Sequence, residues 1–217
     1  MPAEVRVRRP EFIARQACRP TGLLGRALAR WMAVETAGAN DAALKLLHLR
    51  QTDRVLEIGF GHGHTIERAA ERVPRGSVVG VDHSEAMLFA ARRRCAALIA
   101  DGRVELHCGD SAHLPFADGR FDKALAVHTL YFWQPLAQHM REIRRVLSAG
   151  GRLVLAYRPA GARAATDFPS EIYTFRTSDE VHDLLIAADF TAIETVRQSP
   201  ELVLTAADVS PLAATPA

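Results

Sequence analysis

Apolar positions along this chain follow two alternating rhythms, short runs of β-formers and longer stretches at helical spacing. Residues 22–36 place Leu23, Leu24, Ala27, Leu28, Trp31 and Met32 three and four apart, which predicts an amphipathic helix. A second helix carries Leu44, Leu46, Leu47 and Leu49 behind Asn40 or Asp41 as its cap. Strands are predicted at 53–58, 77–81, 104–107, 121–127 and 152–157, with helices at 63–73, 84–98 and 135–147 between them. The pair Gly150-Gly151 reads as the end of the last of these helices. A helix over 178–188, capped by Thr177 or Ser178, has Asp179 and Glu180 in its first turn, where they suit the helix dipole. Two short strands follow, 191–196 and 201–205. The first 20 residues show no periodicity, and the Ala/Pro-rich end from Ala206 is expected to fray.

Strands alternating with helices predict an α/β, doubly wound parallel sheet with helices on both faces. In such a sheet the ligand lies outside the carboxyl ends of the strands. Groups that bind it are therefore expected just after strands one to four.

Composition narrows the picture only slightly. With 217 residues, 48% hydrophobic and 24% charged, the chain fits one globular domain. The expected division is an arm and helices over 1–49 that cover the site, a core domain over 50–205 and a disordered tail over 206–217. A formal net charge of +2 argues against a nucleic-acid partner, and Arg92, Arg93 and Arg94 read as a solvated helix face. No apolar run is long enough to span a membrane and no signal-peptide core opens the chain, so a cytoplasmic location is expected. Cys18, Cys95 and Cys108 are scattered and form no C-x-x-C, so neither a disulfide framework nor a metal site is indicated.

The candidate chemistry centres on Val55-Leu56-Glu57-Ile58-Gly59-Phe60-Gly61-His62-Gly63-His64, a buried strand running into a glycine turn with a helix beyond. A dinucleotide fingerprint G-x-G-x-x-G would place its third glycine at His64. Here the order is E-x-G-x-G-x-G. After strand two comes Val79-Gly80-Val81-Asp82, whose carboxylate suits a pair of ribose hydroxyls, or else caps the helix from Ser84. After strand three comes Cys108-Gly109-Asp110-Ser111, where Asp110 suits an adenine amino group or serves as a plain turn residue. Gly109 or Ser111 can offer backbone N–H groups to the ring. Met87 suits one face of adenine or the core.

Five stretches in register resemble the class I S-adenosylmethionine (SAM)-dependent methyltransferases. They are V-L-E-I-G-F-G-H-G, G-V-D-H-S-E-A-M-L, C-G-D-S-A-H-L-P-F, F-D-K-A-L-A-V-H and E-I-R-R-V-L-S-A-G-G-R-L-V-L. The later T-S-D-E-V-H-D-L-L-I-A-A-D-F is similar to that family's last helix, with Asp189 where glycine is more usual. The resemblance implies a Rossmann-like sheet of seven strands in the order 3-2-1-4-5-7-6, strand seven antiparallel. It implies SAM as cofactor and S-adenosylhomocysteine as product. The implied cofactor-binding set is Glu57, Gly59, Phe60, Gly61, Gly63, Asp82, His83, Met87, Gly109, Asp110, Ser111 and Val127. His62 departs from the small residue or proline usual in the turn, and either lines the pocket or faces solvent.

Methyl transfer is an in-line displacement in which alignment is the main device, and a dry, aromatic-walled site suits it. Val127-His128-Thr129-Leu130-Tyr131-Phe132-Trp133 follows strand four, where the family places acceptor groups. His128 is the candidate general base, or a pocket histidine that transfers no proton, and Tyr131 is a second catalytic candidate that would orient or deprotonate the acceptor. Of Phe132 and Trp133, one is expected in the core. Trp31, Met32, Tyr157, Arg158 and Tyr173 either close the pocket or, the favoured alternative for each, serve core or surface packing. The short 158–176 segment leaves little room for a macromolecule, which points to a small or single lipid-like acceptor. Two rival readings are a nicotinamide-dependent oxidoreductase and a non-catalytic SAM-binding protein.

Overall fold

A computed structural model describes residues 36–211. The helix expected over 22–36, with Trp31 and Met32, falls almost wholly outside the described residues. Helix α1 spans 36–46, so Asn40 and Asp41 lie within it and do not begin it. Asp41 instead pairs with Arg68. Ala43, Leu44 and Leu47 bury the face expected of this helix.

Strand β1 (Arg54–Ile58) leads to α2 (His64–Arg72), β2 (Ser77–Asp82), α3 (Glu85–Arg94), the short α4 (Ala96–Ala100) and β3 (Val104–Cys108). A helix-free stretch returns the chain to β4 (Phe121–Val127), then α5 (Leu136–Val146), β5 (Leu147–Tyr157), α6 (Ser178–Ala187), β6 (Phe190–Ser199) and β7 (Leu202–Val209). The sheet order is β3-β2-β1-β4-β5-β7-β6. Strands β3 to β5 run parallel, as do β1 and β2 between them, while β7 is antiparallel to β5 and β6. Alternation along the strands feeds two cores. Leu56, Ile58, Val79, Val81, Ala124 and Ala126 meet α5 and α6 on one face, while Val55, Val78 and Leu125 meet α1, α2 and α3 on the other.

Three details correct the sequence-based expectations, and one chooses between two of them. The helix read as 84–98 breaks at Cys95, whose buried thiol sits 3.7 Å from the Gly63 carbonyl oxygen. The glycine pair does not end α5: the helix stops at Val146, and β5 already pairs with β4 at Leu147. Gly150, at φ 74°, instead carries the strand through a register shift. Thr177 forms a capping box with Glu180, which settles the cap of α6. Finally, β7 runs to Val209 with Ala206 and Ala207 fully buried, so the folded domain extends past the expected boundary at 205. Among the described residues, no helix is long and apolar enough to cross a membrane.

Candidate active site

The strand-to-helix turn after β1 lies against the loop after β4. A Cβ on Gly59, at φ 76°, would stand 2.0 Å from Thr129 Cγ2, so no other residue fits there without a shift. Gly63 serves packing instead. It sits at the N-terminus of α2 at φ 82°, and a Cβ there would approach Ala91 of α3 at 2.9 Å.

Two buried carboxylates meet beside this turn. Asp82 accepts the Gly61 N–H through Oδ2 and the Ser84 N–H through Oδ1, both at 2.9 Å, and so fastens the turn to the end of β2. The helix cap itself is Ser84, whose Oγ accepts the Met87 N–H. Burial raises the Asp82 pKa against the pull of those two N–H groups. Glu57 is 3% exposed, and its Oε2 is buried without a hydrogen-bond partner. Burial first, and the Asp82 charge second, push its pKa up to about 8. A buried carboxylate oxygen without a donor is costly, and such groups mark sites built for a ligand.

The next loop, after β3, builds a second wall. Asp110 accepts the Ala112 N–H at 2.9 Å, as a turn residue does, and is otherwise exposed. Ser111 Oγ lies 2.8 Å from Nδ1 of His139, a buried side chain on α5. The His139 ring stacks on Trp133, nearly parallel at 5.2 Å between centroids. Burial lowers the His139 pKa, with Asp110 opposing. Arg145, also on α5, pins the loop by donating to the carbonyls of Phe116 at 2.7 Å and Leu114 at 2.9 Å, while pairing with Glu142 and Asp118.

After β4 the backbone turns sharply at His128, whose φ is 57°. Its N–H donates to the Ala156 carbonyl at 2.8 Å, and its Nδ1 lies 2.8 Å from the Tyr131 hydroxyl. That hydroxyl in turn accepts the Arg158 N–H. Burial, and then the Arg158 charge, bring the His128 pKa down to about 4; burial raises that of Tyr131. Both side chains are neutral at pH 7. Rings of Phe132, Tyr173 and Phe175 pack on Tyr131, and Phe168 packs on Tyr173 and Phe175, with neighbouring centroids 4.7–6.0 Å apart.

These walls enclose one cavity of about 830 Å³ at the carboxyl edge of the sheet. That lies within the roughly 300–1,000 Å³ typical of small-molecule sites. Of the residues proposed from the sequence, Glu57, Gly59, Phe60, Gly61, Asp82, His83, Met87, Gly109, Asp110, Ser111, Val127, His128 and Tyr131 all line it; Gly63 does not. His62 also lines it, and its carbonyl accepts a bond from Arg94. Both Phe132 and Trp133 reach the cavity, because the chain forms a 3-10 turn at Leu130–Phe132 and leaves it in extended conformation at Trp133. Tyr157 does not reach it; it is fully buried with its hydroxyl 3.2 Å from Thr205. Sequence reasoning missed His139, Thr129, Phe168 and Phe175. For His139 a signal existed: Leu136, His139, Met140 and Ile143 share the inward stripe of α5.

Comparison with known proteins agrees with this geometry. The family model described as a methyltransferase domain matches residues 55–151. A demethylmenaquinone methyltransferase of Symbiobacterium thermophilum is 37% identical over 108 residues, 49% of this chain and 43% of that protein. The 27-O-demethylrifamycin SV methyltransferase of Amycolatopsis mediterranei is 32% identical over 142 residues, 63% of this chain and 52% of that protein. The chain thus spans about half the length of these curated relatives, or less. Among solved structures, a SAM-dependent methyltransferase from Aquifex aeolicus superposes with a TM-score of 0.67 at 20% identity, over 78% of this chain and 89% of that one. Glycine turn, paired carboxylates, sheet order and relatives agree: residues 55–151 match a methyltransferase domain, and the chain is similar in sequence and in fold to SAM-dependent methyltransferases.

Proposed function

We infer that this protein transfers a methyl group from SAM to a small, largely apolar acceptor. The observation that carries the reading is the buried, partnerless Glu57 Oε2 beside Asp82 on the cavity wall. Those residues fit the cofactor. Glu57 would take the ammonium of the methionine moiety, and the Asp82 carboxylate, already oriented by two N–H groups, would accept ribose hydroxyls. Asp110 would take the adenine amino group, with Gly109 and Ser111 along the ring edge and Met87 and Trp133 among the flanking walls. When bound, SAM supplies a methyl group activated on a sulfonium. The chain's own part is to align the acceptor and keep water out, which the aromatic wall from Tyr131 to Phe175 serves.

His64 opens α2 where a dinucleotide turn would have its third glycine, which disfavours the nicotinamide reading. The test is incubation of the protein with methyl-labelled SAM and a metabolite extract. Label should appear in a small organic-soluble product. Tight SAM binding with no labelled product in any extract would favour a non-catalytic binding protein.

A further inference from the structure

The hydrogen bonds behind His128 have a direction. The Arg158 backbone N–H can only donate, and it donates to the Tyr131 oxygen. Among the described residues the Tyr131 hydroxyl has two partners, that N–H and His128 Nδ1. Its own proton therefore goes to Nδ1, since the opposite arrangement would leave a buried O–H with no acceptor. With Nδ1 accepting, the His128 ring carries its proton on Nε2 and is a donor there.

The Arg158 charge points the same way. The Arg158 guanidinium is held at 3.0 Å from Glu201 and lies over the Phe168 ring, yet its positive field still reaches His128. Burial, the larger influence on His128, works against any charge there, as it does for the Tyr131 phenol. The Arg158 field opposes burial for an anion, because a field that disfavours a protonated imidazole favours a negative charge in the same place. The rest of this end of the cavity is a chamber of flat rings: Tyr131, Phe132, Phe168, Tyr173 and Phe175.

Building on the methyltransferase reading above, we propose that the acceptor is a planar ring compound bearing an acidic hydroxyl, a phenol or enol. It binds as its oxyanion, held by a donor bond from His128 Nε2–H. His128 is then an oxyanion holder and not a base. Tyr131 is a positioning residue that fixes the tautomer. The transfer closes its own charge balance. A lone pair of the oxyanion forms the new O–C bond, and the pair of the broken S–C bond stays on sulfur. Sulfonium and oxyanion charges cancel, and no proton has to leave during the step.

The probe is 4-nitrophenol, whose oxyanion is distinguished from the neutral form by its visible absorption. Titrated into the full chain with S-adenosylhomocysteine present, it should bind with its apparent pKa lowered by about one unit or more. His128→Gly suits the left-handed backbone but has no donor, so it should abolish that shift. His128→Asn, which keeps an N–H and tolerates the same backbone, should retain at least part of it. In methyl transfer, the rise of kcat/KM with pH should follow the hydroxyl pKa of each acceptor, differing between 4-nitrophenol and 2-naphthol. Binding of the neutral phenol, or no binding of the probe, overturns the proposal. So does a rising limb common to all acceptors and lost in His128→Asn. Calorimetry with SAM separates the two readings. If SAM binds and the phenol pKa does not fall, only this inference fails; if SAM does not bind, the methyltransferase reading fails first.

Discussion

Replacing Glu57 by Gln should move stability and cofactor affinity in opposite directions. In the unfolded chain Glu57 titrates near 4.5, and in the fold near 8. The folded state therefore holds a proton that the unfolded state releases across this window. Stability falls as pH rises from about 4.5 towards about 8 and levels off above. At about 1.4 kcal/mol per pKa unit, the penalty at pH 7 reaches roughly 3 kcal/mol. Glu57→Gln removes the titration. It should melt above wild type at pH 8, the gap closing towards pH 4.5. The same variant lacks the charge proposed to pair with the SAM ammonium. Loss of a charge-assisted bond costs roughly 1.5–3 kcal/mol, or about 10–100-fold in affinity. Wild type should release protons when it takes up SAM below pH 8, seen as a buffer-dependent heat in calorimetry. Thermal melts from pH 4.5 to 8.5, with and without SAM, read both effects. A variant that is less stable at pH 8, or binds SAM as well as wild type, would refute this account of Glu57.

Four further substitutions probe the frame of the site. Gly59→Ala should lower SAM affinity and stability together, by about 1–2 kcal/mol from the left-handed backbone plus the clash with Thr129. Adding Thr129→Ser, which deletes Cγ2, should recover the clash component and not the rest; melting curves of both variants measure this. Ser111→Ala removes the partner of the buried His139 Nδ1 and should cost about 1–3 kcal/mol in urea denaturation, with weaker SAM binding. Arg145→Lys cannot reproduce the fork on the Leu114 and Phe116 carbonyls, so hydrogen exchange in residues 110–118 should rise while the strands stay protected.

The alternation of apolar runs with helical stretches made the sheet class legible, and the family resemblance supplied the strand order. The acids and glycines of the first two loops were legible because strand ends fix them in both sequence and space. Glu57 is the penultimate residue of β1 and Asp82 the last of β2, and Leu56↔Val79 and Ile58↔Val81 pairing sets these parallel strands side by side. Other features were hidden for identifiable reasons. Gly150-Gly151 carries the same letters whether it ends a helix or relaxes a strand, and only pairing with β4 distinguishes them. Ala206 and Ala207 look like a fraying end by composition. Yet they are fully buried in β7, which lies between β5 and β6. Phe168 and Phe175 sit in a segment without periodicity, so nothing along the chain announced that Phe175 packs on Tyr131 and Phe168 on Phe175. Arg145 acts through backbone carbonyls some thirty residues earlier, a contact with no sequence pattern.

The most direct test of the central claim is calorimetric titration of the purified protein with SAM, S-adenosylhomocysteine and NAD in turn. Saturable one-to-one binding of the first two, with no heat from NAD, is the predicted result. No uptake of SAM, or uptake of NAD in its place, would contradict it.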